Sequence, residues 1–305
     1  MQSQEYFIMS NFRLKVFCCV AKNLSYTKAA QELDITQPAI TKHIHELEGQ
    51  YKVRLFERMG NKIILTHAGE VFLNHSIDIL HQYSRLDFDM NILHGSYSGH
   101  LRIGASTTIA QYVLPKVLAK FTSKFPDIQL SLVSGNSDDI EKELLSHHID
   151  LGLIEGNKRL PNLKYTHFME DELVLITSTK SRYAHLDEIS KEELSTIPLV
   201  LRENGSGTLS VLNTALEKIG LKISLLNVLM QLGSSESIKL FLENADVASV
   251  ISFRCVTKEL LSGTFKIIEL PELEMKRDFC FMQLQGDEED LSSLLMQFAI
   301  HESNV

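Results

Sequence analysis

The sequence predicts an α/β protein that carries a small, mainly helical head at its N-terminal end. Three observations lead there. Between residues 11 and 66, nine Lys and Arg stand against five Asp and Glu, a local charge of +4 in a chain whose net charge is −9. From Leu65 to Leu93 apolar residues recur every seven positions. Beyond a turn-rich linker, Gly95 to Gly99, apolar strands alternate with amphipathic helices, the pattern of parallel-sheet α/β units.

The chain of 305 residues is long enough for two or three compact units, and 44% apolar with 23% charged residues and six prolines marks it as globular throughout. No run approaches 18 apolar residues, and MQSQEYFIMS has no basic segment leading into an apolar one. A soluble cytoplasmic protein is expected. Adjacent Cys18 and Cys19, with Cys255 and Cys280 far away, form neither a metal spacing nor a disulfide framework, so buried reduced thiols are expected.

Taking the elements in order, Phe12, Val16, Cys19 and Val20 recur at helical spacing and predict a first helix over 12–22. Ser25 can cap a second, with Ala29, Ala30 and Leu33 inward. After the break at 33–36, Thr36 can cap a third. Pro38 then falls in its first turn, where a missing N–H costs nothing because no intrahelical acceptor exists there. Ile40, Ile44 and Leu47 face inward, leaving Gln37, Pro38, Thr41, Lys42 and His45 outside. Residues 53–56 and 62–65 predict two short strands around a turn at 57–61, a small β-wing.

A helix over 67–93, about 40 Å long at 1.5 Å per residue, carries Phe72, Ile79, Leu86 and Leu93, continuing a seven-residue repeat from Leu65, as a seam with Ser76, Tyr83 and Met90 between them. That is the pattern of a self-pairing helix. Further on, strands are predicted at 101–106, 128–135, 151–155, 172–178, 198–203, 225–232, 247–252, 265–270 and 278–284. Helices are predicted at 109–124, 138–147, 208–219, 235–244 and 287–301.

Catalytic patterns find little support. Ser25 and Lys28 match a Ser/Lys nucleophile spacing in letters only, at a helix start in the basic head. His45-Glu46 lacks the second histidine of a zinc protease motif. Gly205-Ser206-Gly207 is neither a nucleophile elbow nor a dinucleotide loop. No enzyme activity, metal or cofactor is expected.

The head, in contrast, suits the major groove of double-stranded DNA: two short helices, the second opening with small or hydrogen-bonding side chains, then a basic wing. Gln37 can pair with adenine, Pro38 and Ala39 allow close approach to thymine methyls, and Thr41 and Lys42 reach bases or phosphates. Ser25 and Thr36 begin helix turns whose N–H groups can hold phosphate oxygens, with Thr27 and Lys28 adding side-chain donors.

Phe12-Arg13-Leu14-Lys15-Val16-Phe17, Ser25 to Ala30, Thr36-Gln37-Pro38-Ala39-Ile40-Thr41, Leu47-Glu48, Val53 to Arg58 and Leu65 to Glu70 stand in an order and spacing that resemble the LysR-type transcriptional regulators. The resemblance runs on through Leu114-Pro115, Phe125-Pro126, Asp150 to Glu155 and Arg202 to Thr208. It implies a bacterial regulator with a winged helix–turn–helix at 9–66, a dimerising linker helix at 67–94 and a periplasmic-binding-protein-like effector domain at 95–305. That domain's first subdomain would take about 100–168 and 268–305, and its second about 169–267. Homodimers through the linker helix, paired into homotetramers on promoter DNA, are implied with it. The chain departs from the family pattern at the wing tip, where Asn61 replaces a basic residue and leaves Lys62 or Arg58 to take its role. It departs again at Glu243 to Asp246, where a glycine-rich turn is usual. Eight residues also precede Met9, where family members generally start.

An α/β sheet binds ligands where strand C-terminal ends lead into helix starts. Ser106, Thr107 and Thr108, then Asn136 with Ser137, then Arg202 and Gly205, Ser206, Gly207 and Thr208, then Ser235 and Glu236 occupy such places. Hydroxyls and N–H groups there suit an anion, with Arg202 supplying charge. The plainer alternatives are that Ser137 and Ser235 are N-caps and that Arg202 pairs with a nearby acid. The 202–208 loop, with Ser235 to Lys239, resembles the branch that includes regulators of sulfur assimilation and of carbon fixation, which implies a small oxyanion or phosphorylated effector. Closure of the two subdomains about strands crossing near 164–172 and 265–270 would then alter the spacing of paired heads. The competing function class is a small-anion-binding protein with no role in gene regulation; a basic head has no use there.

Overall fold

Capping decides where the helices of the head begin. The computed structural model describes residues 2–59, 62–93, 97–156, 159–285 and 291–303, and the chain divides into two units, Met1–Ser96 and Tyr97–Val305. In the first, α1 spans Gln2–Asn23, α2 Tyr26–Glu32 and α3 Gln37–Tyr51. Ser25 Oγ accepts from Lys28 N at 3.3 Å, and Thr36 Oγ1 accepts from Ala39 N at 3.4 Å. Pro38 sits in the first turn of α3, as its position after Thr36 requires. Val16, Phe17, Val20, Ala29, Ala30, Ile40, Ile44 and Leu47 close a core among the three helices.

The wing differs from expectation in its first strand. β1 runs Phe56–Met59 and β2 Lys62–Leu65, antiparallel, with Phe56 opposite Leu65 and Met59 opposite Lys62. Residues 53–55 are not in the ladder because their backbone is taken elsewhere. Leu55 N donates to Glu48 Oε1 at 2.9 Å, Leu55 O accepts from Thr66 N at 3.0 Å, and Arg54 O accepts from Thr66 Oγ1 at 2.7 Å. The strand therefore starts three residues later and carries Glu57, Arg58 and Met59 out of the expected turn. Asn61, with Gly60, lies outside the described residues.

The long helix α4 spans His67–Leu93. Its heptad seam is divided in use. Phe72 packs edge-on against Phe17 at 4.9 Å and Tyr51 at 5.1 Å, and Leu65 and Phe72 flank the core of the head. Ser76 is also buried. Beyond it Ile79, Leu86 and Met90 are 44%, 52% and 45% exposed in the single protomer. Gly69, in the first turn, is required by close approach: a Cβ there would stand 2.1 Å from Leu55 O.

In the second unit, β3 (Gly99–Ser106) leads through α5 (Thr107–Tyr112) and α6 (Leu114–Lys124) to β4 (Ile128–Gly135), α7 (Ser137–Leu145) and β5 (Leu151–Glu155). The long β6 (Leu163–Ser178) precedes α8 (Lys191–Leu194), β7 (Leu199–Arg202), α9 (Gly207–Lys218), a 3-10 turn at Ile223–Leu225, β8 (Val228–Leu232) and α10 (Ser235–Leu242). Then come β9 (Ala248–Ser252), α11 (Phe253–Leu261), β10 (Phe265–Ile268), β11 (Lys276–Leu284) and α12 (Leu291–Ser303).

The helix expected at 109–124 is two helices. Pro115 lies in the first turn of α6, so the chain reorients at Val113, and the residue before a proline disfavours helix continuation. α11 was not expected at all: it begins directly where β9 ends, capped by Ser252 Oγ accepting from Arg254 N, with no turn residues between to announce it.

The sheet is mixed, not all parallel, in the order β4-β3-β5-β11-β6-β9-β7-β8 with β10 on β6. β3 is parallel to β4 and β5, and β7 to β8 and β9. β11 is antiparallel to β5 and β6, and β6 to β9 and β10. The reason is that β6 and β11 pass between two half-sheets: β6 pairs with β11 as far as Glu172 and with β9 from Leu173 onward. Residues 265–268, expected at the second crossing, pair as β10 with the far end of β6; β11 makes that crossing.

Candidate DNA interface and ligand cleft

On the head, Gln37, Pro38 and Lys42 of α3 are exposed, as are Thr27 and Lys28 of α2; Ala39 and Thr41 are half-buried. Thr41 Oγ1 donates to Gln37 O at 3.1 Å, which commits its proton and leaves its oxygen to accept. The hydroxyls of Ser25 and Thr36 accept from their own helices as caps. A groove of about 310 Å³ separates α3 from the wing, with Gln37, Thr41 and His45 on one wall and Arg54, Arg58 and Ile63 on the other. Arg58 is exposed. Lys62 opens β2, and its side chain lies outside the described residues.

Glu48, at 8% exposure, fixes the two walls together. It accepts from Leu55 N and from Arg54 Nη1 at 3.0 Å, and His45 Nδ1 lies 3.4 Å away. The apolar spacing of α3 gave no sign of this, since Glu48 follows the inward Leu47 and looks like a solvent position.

In the second unit, loops at strand ends gather several of the expected residues around two side chains the sequence did not single out, Glu155 and Arg277. Ser106 Oγ donates to Glu155 Oε2, and Thr108 Oγ1 donates to Glu155 Oε1 at 3.4 Å. Ser137 Oγ donates to the Glu155 carbonyl at 3.4 Å. Arg277 Nη1 lies 3.4 Å from Glu155 Oε1 and donates to Thr208 Oγ1 at 3.0 Å, while Arg277 Nε donates to Asp171 Oδ2 at 2.7 Å. Asp171 also accepts from Ser252 Oγ at 2.8 Å, and Arg254 Nε is 3.6 Å from it. The side chains of Arg277, Glu155 and Asp171 are 0%, 1% and 1% exposed.

Burying such charges is tolerable only because they are paired and hydrogen-bonded. One guanidinium nitrogen, Arg277 Nη2, is buried without a partner among the described residues. A cavity of about 570 Å³ is walled by residues 170–172 of β6, 276–278 of β11 and Phe253, Arg254 and Thr257 of α11, so Arg277 belongs to both the cluster and the cavity.

Two contacts tie the half-sheets beside this cluster. Asp138 N donates to Gly205 O at 3.2 Å. Gly207 rests on Glu155 so closely that a Cβ would lie 2.3 Å from Glu155 Cγ. Ser206 is the N-cap of α9, accepting from Leu209 N at 3.1 Å. Asn136 and Ser234, one residue ahead of Ser137 and Ser235, are the N-caps of α7 and α10; Ser137 and Ser235 themselves are buried.

The remaining expected residues have other partners. Arg202, with a fully buried side chain, is bound by Glu203 at 2.8 and 2.9 Å and by Gly233 O at 3.4 Å, leaving Nη1 without a partner among the described residues. Thr107 Oγ1 is likewise buried and has no partner among the described residues. Glu236 pairs with Lys239 at 2.8 Å. Burial works against the Lys239 ammonium, but Glu236 and Glu259 outweigh it and raise its pKa. Cys255 is pushed up to about 11, first by burial, and Ser235 hydrogen-bonds to it. At Glu243 to Asp246, Asn244 Nδ2 donates to Leu240 O at 2.8 Å and Asp246 Oδ1 accepts from Arg182 N at 3.0 Å, so side chains hold this turn.

A winged helix–turn–helix followed in the chain by a long helix and a two-lobed mixed α/β unit with a polar cleft defines a ligand-responsive transcription regulator. The chain belongs to the LysR family of these regulators. Residues 12–70 match the bacterial regulatory helix-turn-helix protein, lysR family, and residues 94–300 match the LysR substrate binding domain. It is similar to a "Probable RuBisCO transcriptional regulator" of Thalassiosira pseudonana, 32% identical over 272 residues that cover 87% of this chain and 88% of the relative. It is also similar to the HTH-type transcriptional regulator CysL of Bacillus subtilis (strain 168), 29% identical over 269 residues, 88% of this chain and 89% of that protein. Among solved structures, the CcmR regulatory domain of Synechocystis PCC6803 in complex with 2-PG matches with a TM-score of 0.61 at 24% identity, covering 67% of this chain and 97% of that one, which shows a shared fold. Among the described residues no helix is long and apolar enough to cross a membrane.

Proposed function

We propose that the protein binds promoter DNA through α3 and the wing, as a cytoplasmic homodimer built on α4 and assembled into a tetramer, and that a small anionic metabolite in the cleft of the second unit modulates that binding. The groove between α3 and the wing carries this reading, because Gln37, Thr41 and Arg58 line it together within the segment 11–66, whose local charge is +4. Gln37 and Thr41 read base edges; Lys42 and Arg58 hold phosphates, with Thr27, Lys28 and Lys62 adding backbone contacts. Exposed Ile79, Leu86 and Met90 support self-pairing of α4. For the cleft, the nitrogens of buried Arg277 and Arg202 that have no partner among the described residues support a ligand with negative charge, and the unpartnered Thr107 hydroxyl can donate to it. The 2-PG bound by the CcmR regulatory domain is consistent with that class. The role is one of binding, not catalysis.

The test is a salt titration of binding to the DNA upstream of the protein's own gene. Affinity is expected to fall steeply with salt, and Lys42→Ala with Arg58→Ala to flatten the logarithmic slope by about 2. Absent or salt-independent binding overturns the reading.

A further inference from the structure

We infer that Glu155 sets the ligand specificity of the cleft, admitting an oxyanion that brings its own hydrogen-bond donor, such as hydrogen phosphate, and rejecting sulfate. The inference rests on the reading that the cleft takes an anion. Strand-end hydroxyls are ordinarily counted as donors for such a ligand, and here those of Ser106 and Thr108 are not free to act so. Ser106 and Thr108 spend their protons on the Glu155 carboxylate. Thr208 Oγ1 accepts from Arg277 and keeps its own proton. Each hydroxyl has one proton, so Ser106 and Thr108 present oxygen lone pairs to anything that enters beside them. Glu155 Oε1 is engaged by Thr108 and Arg277, and Oε2, among the described residues, by Ser106, which leaves Oε2 with accepting capacity.

One side of this cluster therefore offers acceptors around a buried carboxylate; the other offers the unpartnered donor Arg277 Nη2. The two sides are close. Arg277 Nη1 is 3.4 Å from Glu155 Oε1, and Nη2 is bonded to the same guanidinium carbon. A tetrahedral oxyanion can therefore set one oxygen on Nη2 and turn another toward Glu155. If that second oxygen carries a proton, it hydrogen-bonds to the carboxylate; if it is bare, two negative oxygens meet at a carboxylate whose side chain is only 1% exposed, which costs more than in solution. Inorganic phosphate keeps at least one proton near neutral pH, and sulfate keeps none. A small acid with a hydroxyl beside its anionic group satisfies the same rule.

Calorimetric titration of the full chain with inorganic phosphate and with sodium sulfate tests this, run on the wild type and on Glu155→Gln, whose amide can donate to a bare oxygen. Phosphate is expected to bind the wild type at least about tenfold more tightly than sulfate, the scale of a charge-assisted hydrogen bond gained against one opposed. In Glu155→Gln the ratio is expected to fall to within about threefold, through tighter sulfate binding. Equal or stronger sulfate binding by the wild type overturns the inference, and so does a phosphate preference that persists in the variant. If Glu155→Gln does not fold, the wild-type ratio decides alone. If neither anion binds either protein, the anionic-effector reading fails along with the inference, and salt-dependent DNA binding by the same preparation shows whether the regulator reading stands.

Discussion

Removing the Arg277 guanidinium should destabilise the second unit by about 3 kcal/mol, and the contacts around it set that figure. Arg277→Met keeps the bulk of the stem and takes away the charge. Asp171 then loses its 2.7 Å partner but retains Ser252 at 2.8 Å and Arg254 at 3.6 Å. Glu155 loses the ion pair but retains Ser106 and Thr108. Breaking a buried pair from one side costs about 3–5 kcal/mol, and these residual partners place the expected loss at the lower end. For a unit of this size, about 2–4 °C per kcal/mol converts it into a fall of roughly 6–12 °C in Tm. The assay is scanning calorimetry of the full chain in a buffer free of phosphate and sulfate, checked by urea unfolding. Replacing all three charges together, as Arg277→Met with Asp171→Asn and Glu155→Gln, should recover more than half of the loss, because the desolvation penalty disappears with the charges. A single-variant loss under about 1 kcal/mol, or a triple variant no more stable than the single, would refute the reasoning.

Three further outcomes follow from the same structure. Glu48→Ala leaves the buried N–H of Leu55 without an acceptor and should cost about 1–3 kcal/mol in urea unfolding; Glu48→Gln keeps that acceptor and should cost less than half as much, so equal losses would sink the account of the wing. Ile79→Glu with Leu86→Glu places charges on the exposed part of the α4 seam and should lower the sedimenting mass at micromolar concentration; an unchanged mass removes that seam from the assembly. Burial pushes the Cys18 thiol up to about 12, with Cys19 adding to it, and the Cys255 thiol up to about 11. Both pKa values are raised, so the folded chain holds its protons while the unfolded chain releases them near the ordinary value of 9.0. Their contribution to stability is whole below that pH and declines as pH rises through 9 toward 11–12. Iodoacetamide at pH 8.5 should accordingly leave both thiols unlabelled in the native chain and modify both in urea; rapid native labelling contradicts the burial argument.

The head was legible because its signals are local. A cap, a proline in a first turn and inward residues at i, i+4 and i+7 act over a few residues, and those residues sit next to each other in the chain. The wing strand was misplaced where a non-local acceptor, Glu48, took the Leu55 N–H; strand propensity at 53–56 carries no information about that bond. In the cleft, the loops at 106–108 and 205–208 could be expected from strand ends leading into helices. The roles of their hydroxyls could not, because the direction of a hydroxyl proton depends on which acceptor faces it. Arg202, flanked by Glu203, binds its neighbour; Arg277, which follows Lys276 in an unremarkable run, became the buried charge.

The sequence by itself determined that this chain has a basic helical head, a long seam helix and an α/β body, and that it belongs among regulators, since periodicity, capping and ordered motifs are properties of neighbouring residues. Only the tertiary structure decided that the sheet is mixed and that part of the seam serves the head's own core. It also decided that Glu155, Asp171 and Arg277, contributed by three different strands, meet in one buried cluster. Strand order and the pairing of charges across more than a hundred residues are settled by which buried polar group finds a partner when the chain closes on itself, and a linear pattern does not contain that choice.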